Sequence, residues 1–177
     1  MSFCSPRRAA LLGALCALTA CGRDASTSSS APRASAATAR RAPDGPNWTS
    51  NGATACERYL TPSVVAAILA HPAGRTKALS PQACTYETAD NSGSLSITLT
   101  NAGPSAFDQY QQFLVDPVPL PGVGDKASRS RTGIDAVKGQ DRTCTIDAVG
   151  PPGSTKLTGE ALARELGAVC NALFALP

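Results

Sequence analysis

The chain has 177 residues, 16 Lys and Arg against 13 Asp and Glu, and a mean hydropathy of −0.07. A formal charge of +3 is too close to neutral to imply a nucleic-acid partner. One histidine, His71, cannot build a paired-histidine metal site or an HExxH helix, and seven cysteines make sulfur chemistry the first question.

The first twenty residues have the order of an export signal. Arg7 and Arg8 supply positive charge, 9–17 (AALLGALCA) is apolar, and small residues follow. The apolar run falls well short of the roughly 20 residues that a helix needs to cross hydrocarbon, so a cleaved leader is expected over 1–20. Its end, Leu18-Thr19-Ala20-Cys21, resembles the lipobox of bacterial lipoproteins. That resemblance implies cleavage before Cys21, a diacylglyceryl group on its thiol and a lipid bilayer as partner. The location implied is a cell membrane or outer membrane, with the domain outside the cytoplasm. One acyl chain binds a membrane marginally, whereas two or three hold stably. Loss of Arg7 and Arg8 with the leader lowers the formal charge from +3 to +1.

Residues 21–48 read as the lipidated cysteine and a disordered tether. Ser, Ala, Thr, Pro and Arg dominate, and this composition buries too little apolar area to offset ordering entropy. A coil of this length spans roughly 28 Å root-mean-square. Trp48, at the end of the tether, is expected to pack on the domain edge. The remainder, 49–177, is expected to be a single globular domain with its folded part starting near Cys56.

With Cys4 and Cys16 removed and Cys21 acylated, Cys56, Cys84, Cys144 and Cys170 remain. An even number in an exported domain implies two disulfides, with three possible pairings. Closure of local units favours Cys56–Cys84 and Cys144–Cys170. Zinc is disfavoured because no CxxC-like pair occurs, and neither a metal nor a cofactor is expected.

Thr61 and Pro62 open a helix with the apolar stripe Val64, Val65, Ile68 and Leu69, ended by His71-Pro72 and Gly74. Strands are expected over 83–88 and 94–100, joined by Asp90-Asn91-Ser92-Gly93. The second alternates cleanly, with Leu95, Ile97 and Leu99 on one face; periodicity does not say whether the Ser and Thr face is wet or covered. A helix is expected over 104–114, then an extended proline stretch over 116–121 and a turn over 122–126. Strands over 127–131, 134–138 and 142–149 follow, then a helix over 158–173. Short hairpin links predict an α+β fold: a mainly antiparallel sheet of four to five strands with about three helices on one face.

The cysteine before a capped helix, the cysteine opening a strand, Pro-Gly-Val-Gly-Asp-Lys-Ala at 121–127 and the final strand pair and helix carry a looser resemblance. In these features 56–177 resembles small exported domains of unknown function in actinobacterial lipoproteins, and in outline the extracellular sensor domains of some mycobacterial receptor kinases. It implies a stapled module that binds something in the envelope, and no catalytic residue carries over. The expected reading is a membrane-anchored, non-enzymatic binding or accessory module, for an unknown envelope protein or ligand. Its contact surface is Pro119, Pro121, Val123, Asp125 and Lys126, with the polar sheet face beside it. One alternative is a small cell-wall hydrolase using Asp135 and Asp147, which approach across the last hairpin. The other is an inhibitor or chaperone of an exported enzyme, presenting the rigid 117–121 stretch.

Overall fold

The computed structural model describes residues 47–177. Cys21, the expected leader and the tether up to Pro46 lie outside the described residues. A 3-10 helix, Trp48–Asn51, leads directly into α1, Gly52–Tyr59. Trp48 thus begins the folded domain rather than ending the tether. It is 4% exposed and stacks on Phe174 at 5.5 Å between ring centres, with the Arg142 guanidinium 5.4 Å from its ring. A large flat side chain at this point seals the end of the core, which the composition of its neighbours did not reveal.

In α2, Pro62–Ile68, the Thr61 hydroxyl accepts from the Val64 N–H and Pro62 occupies the first turn. Its stripe is buried through Val65, Ile68 and Leu69. The strands are β1 (Gly74–Ser80), β2 (Ala83–Thr88), β3 (Ser94–Thr100), β4 (Val118–Pro119), β5 (Lys126–Arg129), β6 (Gly133–Lys138) and β7 (Arg142–Val149). They form one antiparallel sheet in the order β1-β2-β3-β7-β6-β5-β4. The α+β class and the antiparallel sheet are as expected, but seven strands replace the expected four to five. The additions are β1 and the two-residue β4, which form the sheet's two edges. Edge strands carry no buried stripe, and β1 is exposed along most of its length, Leu79 included.

Register puts Leu95, Ile97 and Leu99 beside Ala148, Ile146 and Cys144, and these beside Ile134 and Ala136. This face is the core, closed by α1, α2 and α4, Gly159–Phe174, which buries Leu162, Leu166, Val169, Cys170 and Leu173. The disulfides are Cys56–Cys84, joining α1 to β2, and Cys144–Cys170, joining β7 to α4. Four α-helices are present among the described residues, and they do not share one face. The exception is α3, Pro104–Gln111, which packs on β6 from the other side and buries Phe107. Ala102 just before it accepts a 2.6 Å hydrogen bond from the Thr143 hydroxyl, which projects from the non-core face of β7.

Candidate functional site

The second face of the sheet carries polar side chains at alternate positions. Ser128 lies opposite Asp135, Asp135 opposite Thr145, and Thr145 opposite Thr98. In the next row Gly133 lies opposite Asp147, and Asp147 opposite Ser96. Gly133 is required here, because a Cβ would overlap the Asp147 Oδ1 and the Ile146 carbonyl. Asp135 and Asp147 are diagonal neighbours, about 7–8 Å apart by sheet geometry.

Asp135 is 6% exposed and accepts a 2.7 Å hydrogen bond from the Thr145 hydroxyl. Burial raises the pKa of its carboxyl above the ordinary value; the Thr145 bond works against this and the charge of Asp147 adds to it. Burial also raises Asp147. Tyr110, on the exposed side of α3, faces this pair: desolvation, then the charges of Asp135 and Asp147, push its phenol up. Phe113 and Val115, just beyond α3, project apolar surface into solvent.

Two strands out from Asp135, the proline stretch forms a strap along the sheet edge, pairing with β5 through Val118 and Pro119. Its far end is pinned to α4: Asn171 donates from Nδ2 to the Gly122 carbonyl at 2.9 Å and accepts at Oδ1 from the Gly124 N–H at 3.0 Å. Gly124 has φ +56, a conformation that glycine adopts without strain. Val123 inserts against α4, where a Cβ on Gly167 would stand 2.6 Å from its Cγ2. The expected contact surface therefore divides. Pro119 and Pro121 are exposed on the strap. Val123, the one branched apolar side chain in the turn, is 7% exposed and packs with the core. Asp125 accepts from the Gly139 N–H at 2.8 Å, and Lys126 pairs with Asp108 of α3 at 2.9 Å. These two hold neighbouring elements in place.

Between strap, α3 and β5 lies a cleft of about 610 Å³, walled by Phe107, Pro117, Pro119 and Leu120. Gln111 and Ser128 also line it, and the Gln111 Nε2 and Ser128 Oγ are buried without a hydrogen-bond partner. Sequence reasoning placed both residues in elements but gave neither a role. No pattern marks them, because their neighbourhood depends on α3 crossing the second face. A second groove, of about 490 Å³ and more enclosed, runs on the strap's other side, against α4, with Arg129 and Arg164 at its wall.

His71 is exposed, with its Nδ1 4.0 Å from the Asp90 Oδ2. Among the described residues no group of three or more His, Cys, Asp or Glu side chains converges to hold a metal ion. No helix of the described residues is long and apolar enough to cross a membrane. The chain matches no family model, no curated protein and no solved structure.

Proposed function

We propose that the protein is a lipid-anchored envelope module that binds a ligand without transforming it, held to the bilayer through Cys21 and a tether. The observation that carries the binding half is the cleft under the strap. Its volume lies within the range of small-molecule sites, and its walls are mainly apolar with a few polar groups. Its walls are tied to their surroundings: Asn171 bonds the turn after the strap, Asp125 accepts from the Gly139 N–H, and Lys126 of β5 pairs with Asp108 of α3 at the exposed rim. A preformed cleft loses little entropy when filled. The anchor half is supported by the order of charges and apolar residues ending at Cys21 and by the even set of paired cysteines in the domain.

The test is native mass spectrometry of the protein extracted from its own envelope. A small molecule released on unfolding is expected with the native chain, and its loss with Ser128→Phe, which fills the cleft floor. A native chain that carries nothing, and whose melting temperature no compound in an envelope extract raises, contradicts the reading.

The paired carboxyls favour one other reading, a small hydrolase acting on wall glycan or peptide. Such chemistry uses two carboxyls on one face, one of them an acid with a raised pKa, and burial raises both Asp135 and Asp147. It predicts wall-lytic activity that Asp135→Asn or Asp147→Asn abolishes. Binding is preferred because Asp135 is buried and bonded to Thr145, and the cleft is lined by other residues.

A further inference from the structure

Single exposed apolar side chains are ordinary, and Leu79 of β1 and Val149 of β7 are of that kind. The tip beyond α3 is different. Phe113 and Val115, two residues apart, are 81% and 80% exposed, more than any other large apolar side chain among the described residues. Asp116 follows with φ +51, uncommon for a residue bearing a side chain, and Pro117 fixes the backbone after it, so the chain bends directly behind the tip. Cations stand beside it. Val115 and Asp116 share a small hollow with Arg129, Ser130 and Arg131, from the end of β5 and the turn after it. Among the described residues neither arginine makes a side-chain ion pair, and Asp116 is the one acid that lines the hollow. The chain enters the domain at the other end of α3: the Asn47 Oδ1 accepts from the Asn101 Nδ2 at 3.4 Å, and a Cβ on Gly103 would overlap the Gln140 carbonyl, past the end of β6. The tip lies by Ser130, whose N–H donates to the Gly133 carbonyl at the start of β6. The length of β6, about 20 Å, separates the two ends. A coil of the length of 21–46 spans roughly 28 Å root-mean-square, so the tether lets the far end reach the surface to which Cys21 is held.

We propose that this tip is a second membrane contact of the domain, an inference that rests on the anchor reading above. Phe113 and Val115 enter the headgroup–acyl boundary of an anionic bilayer, while Arg129 and Arg131 meet lipid phosphates. Buried apolar area and electrostatic attraction to anionic lipid add together at such an interface. Two side chains bind weakly from solution, but on a tethered domain the contact is intramolecular and a weak one suffices. They offer far less area than a stable protein interface buries, which favours lipid over a protein partner. The contact sets the orientation of the domain, with the turn between β5 and β6 towards lipid.

The experiment uses the protein extracted from its own envelope and reconstituted into vesicles of dioleoylphosphatidylglycerol and dioleoylphosphatidylcholine that carry a dibrominated phosphatidylcholine. Trp48, the one native tryptophan, is buried against Phe174, so its emission is the unquenched baseline. Phe113→Trp is expected to add blue-shifted emission that the bromines quench. Leu79→Trp, on the exposed edge strand, is expected to stay unquenched. In the Phe113→Trp background, Arg129→Gln and Arg131→Gln are each expected to lower the ratio of inserted to free tip by roughly fivefold with phosphatidylglycerol present, and to leave it unchanged in phosphatidylcholine alone. An acylated chain in which Phe113→Trp is not quenched, or is quenched no more than Leu79→Trp, overturns the contact and leaves the anchor standing. Quenching that is indifferent to both arginine variants overturns the phosphate pairing. A chain whose mass shows no acyl group takes down the anchor reading, and this inference with it.

Discussion

Asp135 and Asp147 are held with carboxyls that ionise less readily than in the unfolded chain, because burial penalises the charge. The consequence for stability has a definite sign. With the folded pKa above the unfolded value of 3.8, the folded state binds more protons between the two values, so stability falls as pH rises through that window and stays low above it. Asp147→Asn is therefore expected to raise the melting temperature at pH 7, with the gain shrinking on acidification and gone below the unfolded pKa. A gain that is constant with pH contradicts burial as the cause. Asp90 behaves in the opposite sense. Hydrogen bonds from the Ser92 hydroxyl and N–H lower it to about 2, so its contribution is present above 3.8 and is lost as pH falls towards 2. Asp90→Asn is expected to flatten the acid limb of the stability curve in the region where Asp147→Asn leaves it unchanged.

At the scale of elements, two fastenings decide what the site can do. Asn171 satisfies two backbone groups of the turn that ends the strap. Asn171→Ala is expected to cost about 1–3 kcal/mol in denaturant unfolding and to speed hydrogen exchange at Gly124; unchanged exchange there would mean that Val123 alone holds the strap. The disulfides close loops with separations of 28 and 26 residues. Replacing either pair with serine is expected to cost about 3 kcal/mol, and loss of Cys144 and Cys170 frees α4 from β7. The legibility of these elements follows their burial. β3 and β7 each bury one face, so alternation marks them, and α2 has its cap and its proline. β1 is an exposed edge with nothing to alternate, and α1 buries only Gly52, Ala55 and Cys56 among short side chains. The strap was legible as prolines and glycines, and Pro119 and Pro121 do line the cleft. The place of Gln111 and Ser128 on the cleft was not, since it depends on α3 covering a face whose Ser and Thr pattern reads the same wet or covered.

Taken whole, the domain is closed where its two ends meet. Trp48 stacks on Phe174, and Arg142 lies over Trp48 while donating to the Leu176 carbonyl at 2.8 Å. The start and finish of the fold thus share one seal, and the cleft depends on the opposite face of the sheet. Such an arrangement suits a domain carried on a chain that enters at residue 47, because pull on that chain is met by core packing and by Cys56–Cys84 rather than by the strap. We propose that the mature chain begins at an acylated Cys21. Intact-mass measurement of the protein extracted from its native envelope tests it. The mass expected is that of residues 21–177 with two disulfides and a diacylglyceryl group on Cys21, with or without a further acyl chain on its amine. A chain still beginning at Met1, or a free thiol at Cys21, contradicts it.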